Sequence, residues 1–231
     1  ALVEACESLV AGNCDMALAG GACVLVGPNM FIDTPKVSML SADGRCFSSD
    51  ERANGFVPGE GVGAVLLKRL SDAERDGDHI YGVITGSGIS NAGVRNGFTV
   101  PNPNQQAVAI ERALDDAGIS PKTIGYIEGH GSGTALGDPI EVKALSQVFR
   151  KDTDAVQTCP IGTVKSNVAH LLGASGLAGI VKVLAQLKHG QLAPSLHADT
   201  LNPDIPFATS PFYVQRELSP WTPLKDETGR E

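Results

Sequence analysis

The spacing of apolar and polar positions along the chain switches between helical and strand-like periods, and the switches predict an alternating α/β succession. Leu2, Ala5, Cys6 and Leu9 recur at helical spacing, so residues 1–12 read as a buried helix. DMALAGGACVLV (15–26) is a nearly continuous apolar run with a glycine pair and reads as a buried strand. VGAVLLKRL (62–70) and IYGVITGSGIS (80–90) read as two further strands, joined by the polar stretch SDAERDGDH. Residues 27–60 are punctuated by Pro, Gly, Asp and Ser, which predicts a long loop wrapping a surface or a subunit seam.

The second half repeats the alternation. Asn104 is a candidate N-cap for a helix with Ala107, Ile110, Leu114 and Ala117 on one face, and Gly118 ends it. TIGYIEG (123–129) reads as a strand that delivers His130 at its end. Asp138-Pro139-Ile140-Glu141 predicts a helix start, with Asp138 as N-cap, Pro139 at the first helical position and Glu141 closing a capping box. A last apolar helix is expected over 174–189, stopped by Gly190, and the tail from 217 is polar. Strands alternating with helices favour an α/β layered fold.

Composition narrows the function. The net charge of −8 argues against nucleic acid, which calls for clustered Lys and Arg. A local basic patch around Lys143, Arg150 and Lys151 could still receive an anionic protein. Five cysteines, at 6, 14, 23, 46 and 159, form no C-x-x-C pair, and the odd count suits a reducing, cytoplasmic setting. No signal peptide is expected, and no apolar run reaches the roughly eighteen residues of a membrane span.

The chemistry concentrates at two histidines. His130 lies in EGHGSGTALGDPIE (128–141) and His170 in KSNVAHLLGASG (165–176), with Lys165 five residues earlier. The glycines around His130 let the backbone approach a ligand closely. One chain fold could bring both imidazoles to a single pocket. Two histidines and a lysine, without a carboxylate-rich or cysteine-paired motif, suggest carbonyl or carboxylate chemistry more than a metal site. His79 reads as solvated surface, His189 as a helix-terminal residue and His197 as a loop residue. PGEGVG (58–63) lacks the G-K-[ST] of a phosphate loop, and the cysteines read as packing residues.

These motifs resemble the ketosynthase (beta-ketoacyl synthase) family, specifically the ketosynthase domains of modular type I polyketide synthases. The family writes EAHGTGTxLGDPIE and VKSNIGH where this chain has EGHGSGTALGDPIE and VKSNVAH. CDMALAGGACV (14–24), SADGRCFSSDERANGFVPGEGVGAVLLKRL (41–70), SNAGVRNGFTVPNPNQQ (90–106) and LKHGQLAPSLHADTLNPDIPF (187–207) extend the likeness along nearly the whole chain. The phrasing of PSLHADTLNPDIPF and YVQRELSPW is most similar to synthases with a separate acyltransferase.

The resemblance implies a thiolase-like layered α-β-α-β-α fold, present in part. Residues 1–79 would finish the first half, 80–216 would supply most of the second, and 217–231 would be a tail or linker. It implies decarboxylative Claisen condensation of an acyl thioester with a malonyl unit on the phosphopantetheine arm of an acyl carrier protein, with no permanently bound cofactor. His130 and His170 would stabilise the developing enolate oxygen, with Lys165 orienting His170. Ser132 and Thr134 would meet the pantetheine arm, supported by Gly131, Gly133 and Asn167. The nucleophilic cysteine belongs to a segment that would end where residue 1 begins, so the chain reads as an internal piece of a homodimeric enzyme. The alternatives are a non-elongating ketosynthase that passes or gates an acyl chain, or a non-catalytic remnant that dimerises and docks carrier protein. A thiolase is disfavoured because its second cysteine base is not found. In this chain Ser132 stands for the usual threonine and Ala169 for the usual glycine. LLGASGLAGIVK after His170 holds no acid, so a partner for Lys165 must come from elsewhere.

Overall fold

A computed structural model describes residues 1–34, 39–94 and 100–224. The first part comprises α1 (Leu2–Val10), β1 (Met16–Cys23), α2 (Asn29–Asp33), β2 (Gly61–Lys68) and α3 (Leu70–Asp76). Strands β1 and β2 pair antiparallel from Met16↔Lys68 to Cys23↔Gly61. Neither β1 nor α1 is buried as its sequence suggests. Leu18, Val62 and Leu66 are 72%, 77% and 66% exposed, and Leu9 alone is buried in α1. Only one face of the β1–β2 ribbon is covered. That face carries Gly21 and Gly61, where an added Cβ would collide with the Gly173 carbonyl and the Leu171 side chain, so the glycines make room for the 171–174 turn.

The polar linker after β2 is helical. Arg69 opens α3 and bonds the Leu9 and Cys14 carbonyls at 3.0 and 2.8 Å, while pairing with Asp15 and Asp72. Gly77, with φ of 70°, ends the helix in the left-handed conformation that glycine adopts at least cost. Residues 80–90 were expected to form a strand, but among the described residues they join no ladder. They lie against helices α4 (Pro103–Ala117) and α7 (Ser175–His189). The backbone there is met by side chains of α4. Asp116 accepts the Ser87 N–H at 2.8 Å, and Arg112 donates to the Ile89 carbonyl at 2.6 Å. The segment has strand-forming residues, but its described neighbours offer no strand to pair with.

Helix α4 is capped by Asn102 rather than Asn104. The Asn102 side chain accepts from the Asn104 and Gln105 N–H groups, and Pro103 takes the first helical position. Next come β3 (Ile127–Glu128), α5 (Gly137–Phe149), β4 (Cys159–Gly162) and α6 (Lys165–Val168). After α7 follow β5 (Gln191–Leu192), β6 (Phe212–Val214) and β7 (Ser219–Pro220). Parallel pairing of β3, β4 and β6 makes the second sheet, with Ile127 opposite Ile161 and Cys159 opposite Phe212. Val142, Leu145 and Phe149 recur on one side of α5 and bury against Ile161, Phe207, Phe212 and Val214. The rings of Phe149 and Phe212 meet edge-on at 4.7 Å. The tail is anchored through Pro220. There β7 pairs with β5, and the Trp221 N–H donates to the Gly190 carbonyl at 2.8 Å. The five cysteines are unpaired, and no described helix is long and apolar enough to cross a membrane.

Gly88 tests the seating of the 80–90 segment. An added Cβ would overlap the Ala109 carbonyl of α4, an atom fixed within the helix. Gly88→Ala should destabilise the fold by about 2 kcal/mol, in the range of core overpacking, read as a lower denaturation midpoint in urea.

Candidate active site

Adjacent parallel strands bring the two histidines together. His130 follows β3 directly, and the turn after β4 leads through α6 to His170. Gly129 donates to the Gly162 carbonyl at 2.7 Å, which continues the β3–β4 pairing to the edge of the site. The two imidazole rings lie 5.3 Å apart, nearly perpendicular. His130 is open to solvent on one side, whereas His170 is half-buried beneath Phe56, 4.9 Å away. The Val57 carbonyl accepts the His170 N–H at 2.8 Å, and Gly59 donates to the His170 carbonyl at 2.9 Å. The 39–60 segment thus wraps the histidine loops.

The first turn of α5 holds the His130 loop. Glu141 accepts the His130 and Gly131 N–H groups at 2.5 and 2.8 Å. Asp138 accepts the Ser49 N–H at 2.8 Å and the Gly133 N–H at 3.2 Å. The capping-box reading of these acids is therefore corrected. Leu136 occupies the N-cap position, and the two carboxylates clamp a loop instead of their own helix end. Gly131 and Gly133 have φ of 40° and 74°, which explains glycine on both sides of Ser132. Burial pushes the Asp138 carboxyl up to about 7, with Glu141 adding to the shift and the backbone donors opposing it.

Tautomer and charge at His170 follow from its neighbours. Leu172 donates its N–H to Nδ1 at 3.0 Å, and the Ser175 hydroxyl lies 2.9 Å from the same nitrogen. Nδ1 is therefore an acceptor, and the ring proton resides on Nε2. Burial, then Lys165, then His130 hold His170 down at about 4. Burial and Lys165 also lower His130, against Glu141. Both rings are neutral near pH 7.

Lys165 is 4% exposed, and among the described residues its ammonium makes no hydrogen bond or ion pair. Burial lowers its pKa, opposed through space by Glu141, then Glu128. The acid missing after His170 is thus replaced by acids from β3 and α5. Ser132 and Thr134 hydroxyls lie 3.2 Å apart, and Thr134 accepts the Gly137 N–H at 3.1 Å. Asn167 is exposed, accepts the Ser166 hydroxyl and hydrogen-bonds neither histidine. In the proposed basic patch Arg150 donates to the Thr153, Ala155 and Thr209 carbonyls, Lys151 pairs with Glu111, and Lys143 is exposed. Cys46 is buried, accepts the Val57 N–H at 3.2 Å and has its thiol pushed up by burial, the wrong direction for a thiolate nucleophile. Sequence reasoning missed Ser175, Glu128 and Lys182. The last was visible only as a lone cation within an apolar helix.

Comparison with known proteins places the whole chain in a family. Residues 81–199 match the beta-ketoacyl synthase C-terminal domain, and residues 1–73 match the N-terminal domain. The chain belongs to the beta-ketoacyl synthase family. It is 51% identical over 228 residues to polyketide synthase PksL of Bacillus subtilis strain 168, covering 98% of this chain and 5% of that protein. Polyketide synthase ThaG of Burkholderia thailandensis is 49% identical over 222 residues, 96% of this chain and 4% of that protein. The ketosynthase from module 6 of the bacillaene synthase of B. subtilis 168 superposes with a TM-score of 0.94 at 47% identity, covering 96% of this chain and 40% of that one. A Streptomyces albus oxazolomycin ketosynthase domain gives 0.95 at 46% identity, covering 100% and 40%. The chain therefore spans two fifths of the solved ketosynthases it matches, and its fold is the thiolase-like α/β fold of that family.

Two outcomes are expected. Ala169 adopts φ 66° and ψ −172°, a region that costs a side chain about 1–3 kcal/mol. Ala169→Gly should relieve that strain and raise stability by about 1 kcal/mol after the added chain entropy of glycine, seen by thermal unfolding. His170, lowered to about 4 in the folded state, binds its proton less readily there than in the unfolded chain. Its contribution to stability is present above its ordinary value of about 6.5 and is lost as pH falls from there towards 4. His170→Gln should flatten that part of the stability profile relative to the parent, and imidazole nitrogen shifts should report a neutral Nε2–H form at pH 7.

Proposed function

We propose that this segment supplies the enolate-stabilising half of a polyketide ketosynthase that extends acyl chains by decarboxylative condensation. The observation that carries the reading is the histidine pair, two neutral rings 5.3 Å apart with a buried ammonium nearby. A malonyl thioester enters on the phosphopantetheine arm of an acyl carrier protein. Its carboxylate carbon–carbon bond breaks, carbon dioxide leaves, and the electron pair passes into an enolate. Negative charge grows on the thioester oxygen, where the Nε2–H of His170 and an N–H of His130 donate. Preorganised donors of this kind are worth about 10²–10³ in rate each. The enolate carbon then attacks the acyl thioester, and the cysteine thiolate departs.

The family resemblance assigns that thiolate to a segment outside these 231 residues, and Cys46, buried with a raised thiol pKa, is unsuited to supply it. Lys165 acts as a positioning and charge-tuning residue for the pair. Ser132 and Thr134 meet the pantetheine arm with the hydroxyl proton that their mutual bond leaves over, and Gly131 and Gly133 give the arm its close approach. Asn167 supports the α6 turn. The chain divides near residue 79 into parts of two thiolase-like halves, and the enzyme works as a cytoplasmic homodimer. Retention of both histidines favours elongation over a gating role.

The test is carbon dioxide release from malonyl-pantetheine by the complete synthase polypeptide carrying this segment. His130→Ala should lower the decarboxylation rate at least a hundredfold while leaving acylation of the nucleophile intact. Equal decarboxylation by parent and variant would refute the assignment.

A further inference from the structure

Behind the histidines lies a buried polar cluster that the proposed chemistry does not use. Lys182 of α7 pairs with Glu128 of β3 at 2.8 Å, with side chains 9% and 12% exposed. Tyr126 closes a triangle. It donates to Glu128 Oε2 at 2.8 Å and accepts from Lys182 Nζ at 2.7 Å. The remaining Glu128 oxygen accepts the Val164 N–H at 2.6 Å, immediately before Lys165.

Two glycines clear the space for this cluster. A Cβ at Gly179, one turn before Lys182, would stand 3.1 Å from Glu128 Cγ. One at Gly162 would stand 2.6 Å from the Tyr126 hydroxyl and 2.8 Å from Ser195 Oγ. Three elements therefore converge on one carboxylate. Glu128 stands two residues before His130, Val164 opens the turn carrying Lys165 and His170, and α7 begins with Ser175, whose hydroxyl meets His170. Ser175 and Lys182 are seven residues apart and share a helix face. A buried ion pair adds little net stability compared with apolar residues of the same volume. Its placement here calls for another explanation.

We infer that Glu128 and Lys182 form a positioning pair that fixes the separation of His130 from the Lys165–His170 turn. The inference rests on the condensing role proposed above and assigns that role two residues which touch no substrate. Glu128 carries the geometry through Val164 and its own strand. Lys182 neutralises the carboxylate and ties both to the helix that orients His170. A displacement of about 1 Å in such a constellation can lower a rate about a hundredfold.

The test compares Glu128→Gln with the double variant Glu128→Gln/Lys182→Met in the complete synthase polypeptide. The single variant leaves Lys182 buried and unpaired, so its melting temperature should fall, and the double variant should recover much of it. In both, kcat for malonyl-pantetheine decarboxylation should fall ten- to a hundredfold with KM unchanged, and the ring resonances of His130 and His170 should move. A double variant with parental kcat and unmoved resonances would overturn the inference and leave the pair a packing feature. If the parent releases no carbon dioxide, the condensing role fails, and the histidine resonances alone decide whether the pair positions them. Should neither variant fold, Tyr126→Phe removes only the third corner of the triangle. It should shift the same resonances, and their constancy would count against the pair.

Discussion

Two carboxylates in the first turn of α5 hold the histidine loop, and the rest of the site depends on that clamp. A loop that passes through left-handed glycines at 131 and 133 cannot satisfy its own N–H groups. Glu141 takes two of them and Asp138 a third. Bonds to an ionised acceptor are stronger than neutral ones, and negative charge at a helix N-terminus is favoured by the dipole. Asp138 also holds the Ser49 N–H, which draws in the segment whose Phe56 packs on His170. One helix turn thus reaches both imidazoles. The cost appears at Asp138 itself, where burial raises the carboxyl to about 7. The backbone donors from Ser49 and Gly133 keep the shift from growing further.

The sheet topology makes the clamp useful. Parallel strands end on the same side, so β3 and β4 present their following residues to one crevice. His130 arrives from one and Lys165–His170 from the other. The β1–β2 ribbon contributes from beneath. Its glycines at 21 and 61 admit the 171–174 turn, and Cys23 packs with Leu171 and Ala174. That turn supplies the Leu172 N–H, in a residue with φ of 44°, that sets the His170 tautomer.

Much of this was legible in the sequence because it is local. Helix α7 follows from the spacing of its apolar residues and from Gly190, and α4 ends at Gly118 as its composition dictates. The meeting of the histidines follows from two glycine-flanked motifs. What was not legible depends on partners distant in sequence. Asp138 and Glu141 look like caps because a cap and a clamp use the same acids in the same register. Only the folded chain reveals whose N–H groups they accept. Residues 80–90 carry strand-forming side chains, yet a strand exists only if another lies beside it, and these residues lie against α4. The sequence reading put the cap at Asn104, whereas Pro103 takes the first helical position and Asn102 the cap. That the acids acting on Lys165 lie elsewhere than after His170 was legible, but their identity, Glu141 and Glu128, needed the fold.

The charge on Lys165 also constrains what the histidines can do. Adding a proton to either ring would place a second cation near a buried ammonium, and both rings resist it. At neutral pH they hold no extra proton to give. His170 is equally unsuited to take one. Its Nδ1 already receives the Leu172 N–H and faces the Ser175 hydroxyl, and its Nε2 carries the ring hydrogen. A general acid or base would need one of those positions free. For His170 what remains is hydrogen-bond donation, which suits the proposed reaction, whose difficult step creates negative charge on oxygen and moves no proton. Lys165 thus adds to burial in keeping both rings neutral, and a positive charge there would favour the negative oxygen that the proposed condensation creates.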